Sequence, residues 1–158
     1  KEKLMEIKIV DMAEIKIVGI VGPGSSVNDL DISSLWSRFG NHESKIKHMI
    51  KGVGYELHIE EDTEPKMHFC LVGIAVEKAE ALPLELFLKI LPAGKYLRYT
   101  HKFSEGNYSD AFKAVYDWIK KSDYQPAYQF DVQCYDERFK DGSDPESVIE
   151  ILVPVERK

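Results

Sequence analysis

Trp36 and Trp118 stand 118 − 36 = 82 positions apart, and the same offset carries Leu71 onto Val153 and Gly73 onto Val155. Around each tryptophan the chain runs in one order. A strand-like segment is followed by a Gly-containing loop, then an amphipathic stretch bearing the Trp, then a strand that closes the half. In the first half these are Glu14 to Gly22, the loop from Gly22, the Trp36 helix and a strand ending Val72-Gly73-Ile74-Ala75-Val76. In the second they are Lys95 to Phe103, the Trp118 helix and Ser147 to Val155. A unit used twice predicts an α+β fold of two tandem β-α-β-β modules, about 6–80 and 84–156, within one domain spanning 1–158. Pseudo-twofold symmetry would then give an antiparallel sheet with helices on one side and a central groove between the halves, the usual place for a small molecule.

The bulk properties narrow the partners. A length of 158 residues suits one domain, and 44% hydrophobic content is enough for a core without disulfides. No apolar run approaches the roughly 18 residues of a membrane span, and no signal-peptide pattern opens the chain. Met5 is read as the native initiator, with Lys1 to Leu4 as an added stretch. A net charge of −6 lacks the basic footprint of a nucleic-acid binder, so no direct contact with DNA or RNA is expected. An acidic protein concentrates cations instead. Cys70 and Cys134 fall in predicted strands on opposite faces, which argues for two buried thiols in a reducing cytoplasm rather than a disulfide. The histidines His42, His48, His58, His68 and His101 show no zinc-site spacing, and no metal or cofactor is expected.

Glu6-Ile7-Lys8-Ile9-Val10 and Glu14-Ile15-Lys16-Ile17-Val18 repeat one alternating pentapeptide and read as two half-buried strands. Gly22-Pro23-Gly24-Ser25-Ser26 reads as a plain turn, since it lacks the Gly-Lys-Ser/Thr ending of a phosphate loop. Leu35, Trp36 and Phe39 mark a helix stopped by Gly40, and Ile46 and Ile50 predict that it resumes as far as Lys51. Further strands are expected at Tyr55 to Ile59, Met67 to Val76, Leu84 to Leu91, Lys95 to Phe103, Gln129 to Glu137 and Ser147 to Val155. A second helix is expected from about Ser109 to Lys121, with Phe112, Val115 and Ile119 facing the core.

Alternation selects the side chains that could face a ligand. In the last strand Ile149, Ile151, Val153 and Val155 form an apolar row for the helices, so Glu150 points the other way among apolar neighbours. Phe130, Val132 and Cys134 read as core, which assigns Asp131, Gln133, Tyr135 and Glu137 to the face of Glu150. The 82-residue offset adds His68 and Tyr55 to that face. A carboxylate in such a setting holds a cation or acts as an acid or base; the plainer alternative is a solvated strand glutamate paired with a lysine. Trp36 is either a groove wall or a core residue of its helix, and Tyr99 fits either face.

The turn Pro92-Ala93-Gly94-Lys95-Tyr96, the pair His101-Lys102, the Trp118 helix, Tyr135-Asp136-Glu137-Arg138-Phe139 and Glu150-Ile151-Leu152-Val153-Pro154-Val155 follow one another in a recognisable order. With the Gly73-Ile74-Ala75-Val76 strand end, they resemble the GyrI-like, or AraC-type effector-binding, domain family over nearly the whole length. The resemblance implies binding of hydrophobic small molecules, often cationic or aromatic, in the central groove. Some members are ligand domains of transcription regulators and others are stand-alone proteins linked to DNA gyrase inhibition or toxin resistance. With no helix-turn-helix segment, the chain resembles the stand-alone members, and a link to gyrase or to a transcription regulator is implied by family analogy alone. The family's regulators commonly carry an acid where this chain has Gln133, while the acid at Glu150 is kept.

The expectation is therefore drug or toxin binding, with Glu150 as anchor and Tyr135, Tyr55, Trp36, His68, Gln133 and Tyr99 as the surrounding ligand contacts. The alternative is a hydrolase that opens strained cyclopropane-containing genotoxins, with Glu150 as general base and Tyr135 beside it.

Overall fold

The computed structural model describes residues 6–23 and 32–158. Gly24, Ser25 and Ser26 of the expected turn, and Lys1 to Met5, lie outside the described residues. The elements in chain order are β1 (Ile7–Met12), β2 (Ile15–Pro23), α1 (Ile32–Gly40), β3 (Met49–Glu60), β4 (His68–Val76), β5 (Phe87–Leu91) and β6 (Gly94–Lys102). They continue with α2 (Tyr108–Lys121), β7 (Tyr124–Pro126), β8 (Phe130–Tyr135) and β9 (Val148–Arg157). The sheet order is β1-β6-β9-β8-β3-β4-β2-β5, with β7 pairing to the end of β9, and every pairing is antiparallel. A triplet from the second half, β6-β9-β8, thus meets a triplet from the first, β3-β4-β2, at the β8–β3 pair. The fold is α+β, a mostly antiparallel curled sheet with two helices.

The helices form where propensity and capping agree. Asn107 Oδ1 accepts the Asp110 backbone N–H at 2.9 Å and starts α2, with Asp110 in the first turn and Lys120 and Lys121 in the last. Ala111, Val115 and Ile119 bury one stripe against Leu97, Ile149, Ile151 and Val153. Leu35 and Phe39 of α1 do the same against Val18, Ile20, Val72 and Ile74. The expected continuation of α1 to Lys51 does not occur. The chain makes one 3-10 turn at Glu43–Lys45, Ile46 is already extended, and His48 takes φ 61°, which a right-handed helix cannot accommodate. Ile46 fills α1's core from outside any helix, and Ile50 is exposed.

Both faces of the sheet are buried. The two helix clusters cover one face. Ile17, Leu57, Leu71, Leu91, Tyr96, Val132 and Leu152 fill a third cluster on the other. Strands β2 and β4 approach so closely at Gly19 and Gly73 that a Cβ on either would sit inside the facing strand's carbonyl group. This third core is what the sequence reading lacked, and it decides which way the polar side chains point.

Candidate functional site

In an antiparallel pair, directly opposed residues project to the same side. The β8–β9 register sets Gln133 against Ile151 and Cys134 against Glu150. Gln133, Asp131 and Tyr135 therefore lie on the helix face, and Glu150 lies on the other. The expectation that they share Glu150's face is corrected: Phe130, Val132 and Cys134 are indeed core-facing, but they face the third cluster, not the helices. The β3–β8 register then adds Gly54 opposite Tyr135, Glu56 opposite Gln133 and His58 opposite Asp131. Between the apolar patches under α1 and α2, the two central strands thus carry a polar strip.

Glu56 is its centre. This carboxylate is only 3% exposed. Trp36 Nε1 donates to its Oε1 at 3.2 Å, and the Tyr135 hydroxyl reaches the same oxygen at 3.4 Å. His58 Nε2 lies 3.0 Å from Oε2. The single Tyr135 O–H can instead donate to Gln133 Oε1 at 3.1 Å, and Gln133 Nε2 lies 3.2 Å from His58 Nε2, closing the ring of contacts. Trp36 fits because Gly54 has no side chain: a Cβ there would lie 2.9 Å from the indole tip. The indole meets the Tyr135 ring edge-to-face at 6.0 Å, and Phe139 packs on the far side of Tyr135 at 4.8 Å.

Electrostatics follow from this enclosure. Burial, then the charge of Glu56, push the Tyr135 hydroxyl far above its ordinary value, so it remains a donor. Burial chiefly, with Glu56 adding to it, pushes Tyr108 up to about 12. Burial raises the Asp131 carboxyl, against the opposing effects of the Tyr116 hydrogen bond at 2.8 Å and the nearby His58. For His58 burial alone lowers the pKa, but the hydrogen bond and charge of Glu56, with Asp131 behind, reverse this and leave it raised.

His58 and Asp131 also line an open cleft of about 920 Å³. Tyr116, Glu60 and His68 contribute further polar groups, and Ile32, Phe69, Pro126, Tyr128 and Phe130 the apolar wall. Glu56 lies one pleat behind His58, on the side of the polar strip that reaches toward Trp36 and Tyr135. Among the described residues no group of three or more His, Cys, Asp or Glu is placed to hold a metal ion.

The expected ligand contacts divide accordingly. Trp36, Gln133 and Tyr135 come together around Glu56, and His68 sits at the cleft rim, 4.0 Å from Glu60. Tyr99 is on the helix face but buried in α2's cluster. Tyr55 opposes Cys134 on the other face, where burial pushes its hydroxyl up to about 12. Glu150 is paired: Arg138 Nη2 donates to one oxygen at 2.9 Å and Thr100 Oγ1 to the other at 2.8 Å. Arg138 is held in turn by Asp136. Glu56, His58, Tyr108 and Tyr116 were not foreseen. The signal was present in Tyr55 to Ile59, where one row of a central strand carries Glu56 and His58.

The family profile of the GyrI-like small molecule binding domain matches residues 5–156. The transcriptional regulator BrlR of Pseudomonas aeruginosa is 28% identical over 154 residues, covering 96% of this chain and 56% of the regulator. The chain thus spans a little over half the length of that curated relative. Among solved structures, the C-terminal domain of EcmrR superposes with a TM-score of 0.76 at 14% identity, covering 99% of this chain and 100% of that one. SAV2435, solved bound to tetraphenylphosphonium, superposes at 0.71 with 17% identity, covering 96% and 94%.

Proposed function

The chain belongs to the GyrI-like small molecule binding domain family, and we propose that it binds a hydrophobic cation, aromatic in character, against the polar strip between α1 and α2. One observation carries this reading. Glu56 is a buried carboxylate whose only ion-pair partner among the described residues is His58. Removing a carboxylate from water costs several kcal/mol, of order, unless a cation or donors replace the hydration. Here the donors are the rims of aromatic rings, Trp36 and Tyr135, so one surface offers both negative charge and flat apolar area. A lipophilic cation satisfies both. Asp131 and the cleft wall extend the same combination to solvent.

Glu150 supports this role less well, because the permanent cation Arg138 already neutralises it, with Thr100 on the other oxygen, whereas the partner of Glu56 is a histidine that carries charge only when protonated. The structural relative carrying tetraphenylphosphonium supports that ion as a first probe. Thermal unfolding with increasing tetraphenylphosphonium is expected to rise as native-state binding requires, and the neutral triphenylphosphine oxide to give a smaller shift. Equal shifts from both in the native chain and in Glu56→Gln would overturn the reading.

The hydrolase alternative is favoured by one contact, the Tyr135 hydroxyl at 3.4 Å from the buried Glu56 carboxylate, a carboxylate–tyrosine pair next to His58 of the cleft wall. Turnover decides it. A cyclopropane-containing alkylator given in excess is expected to be held at no more than one equivalent per chain; many equivalents consumed would make the protein an enzyme.

A further inference from the structure

His58 stands between two acids. Glu56 Oε2 is 3.0 Å from its Nε2 on the same strand, and Asp131 is directly opposite on β8. Its other neighbours are electrically quiet or already matched. Cys70 faces it from β4 as a thiol that burial pushes up to about 12, and Tyr116 of α2 is a neutral hydroxyl bound to Asp131. Glu60, the next residue on this face, is held by Lys66 at 2.8 Å and approached by His68 at 4.0 Å. Among the described residues no lysine or arginine forms an ion pair with Glu56 or Asp131.

We propose that His58 sets the specificity of the site as its resident counter-ion, and that a ligand cation binds by displacing the proton from its imidazole. The inference rests on the cation-binding reading and says what that binding must exchange. Two positive charges brought against the buried Glu56 and the half-buried Asp131 repel in a poorly screened space. The ligand is fixed and the imidazole proton is not, so the N–H bond breaks heterolytically, the electron pair stays on the ring nitrogen and the proton passes to water or buffer.

Gln133 takes part in the exchange. One His58 nitrogen faces both Glu56 Oε2 and Gln133 Nε2, and it cannot donate to the first while accepting from the second. Protonated, Nε2 serves Glu56 and requires the amide to present its oxygen; deprotonated, Nε2 accepts from the amide N–H and releases Glu56 to the ligand. The two arrangements give the site two states, one for the proton and one for the ligand. Coupling is reciprocal: the proton weakens the ligand by the factor with which the ligand weakens the proton. Affinity for a permanent cation therefore rises with pH through the raised pKa of free His58 and levels off above it.

The test is calorimetric titration of the full chain with tetraphenylphosphonium, which has no proton of its own. It is run between about pH 5.5 and 8.5 in buffers of different ionisation heat. The expected result is release approaching about one proton per cation bound, with Kd falling by up to about tenfold per pH unit below the His58 pKa. His58→Gln should bind without proton release and without this pH dependence. Should that variant not fold, ring-proton NMR of the native chain serves. His58 must titrate above the ordinary imidazole value when free and lower with the probe bound. Binding without proton release, or a free His58 titrating at or below the ordinary value, overturns the exchange alone. No binding at any pH overturns the cation-binding reading and the exchange with it.

Discussion

Trp36 Nε1 donates to Glu56 Oε1 at 3.2 Å, so the first helix is tied to a central strand through a buried carboxylate and not by apolar contact alone. The bond spans 20 residues of sequence and orients both the acid and the ring that flanks it. Trp36→Phe keeps much of the packing and deletes the donor. A hydrogen bond to a charged group contributes about 1.5–3 kcal/mol, and the variant should lose stability in that range. Urea unfolding would read it as a lower midpoint at unchanged slope. A midpoint equal to the parent's would mean the bond is not formed in solution.

Gly54 is the floor on which the indole rests. An added Cβ would lie 2.9 Å from Trp36 Cη2, so Gly54→Ala must push the ring off Glu56. In a Trp118→Phe background, Trp36 emission should shift and cation affinity should fall. Gly40 is the control: it meets nothing within 4 Å, and Gly40→Ala should leave both unchanged. Equal spectra for the two alanine variants would contradict the placement of Trp36.

Gly19 and Gly73 face each other across β2 and β4 with no room for a side chain on either. Alanine at Gly73 would collide with backbone of β2, which cannot swing aside as a side chain does. A loss of more than about 3 kcal/mol is expected, measurable by thermal or chemical unfolding. Melting within a degree or two of the parent would show that the strands are further apart than described.

Burial chiefly pushes both the Cys70 and Cys134 thiols up to about 12. At pH 8 the thiolate fraction is then about one part in ten thousand. A thiol-disulfide reagent at that pH should label almost nothing in the folded chain and both cysteines after unfolding. Fast labelling of one site in the native state would show that its strand opens readily.

The α2 helix and nearly every strand of the sheet could be read from alternation and spacing, because each depends on local periodicity. Two features could not. The helix that ends at Gly40 does not resume, because Ile46 is already extended and His48 is left-handed, which no apolar pattern signals. The face of β8 depends on a second core beneath the sheet, where Val132 packs with Leu57 and Leu152. A single core would turn the apolar row of β8 toward the helices and place Gln133 and Tyr135 with Glu150. With two cores, both rows of a central strand are buried. The polar row then marks the site, and Glu56 and His58 on β3 become its members by register alone. The resemblance points to Glu150 on the last strand, whereas the strand registers gather Glu56, His58, Asp131, Gln133 and Tyr135 on one face of β3 and β8.

The central claim is that Glu56, not Glu150, anchors the ligand charge. Calorimetric affinity for tetraphenylphosphonium in Glu56→Gln and Glu150→Gln tests it directly. Glu150 sits in a partly exposed pair with Arg138, so its loss should cost at most about 1 kcal/mol of stability and leave binding at the parent value. Glu56→Gln should weaken binding by about tenfold to a hundredfold. Weakening in Glu150→Gln with Glu56→Gln at parent affinity would contradict the account.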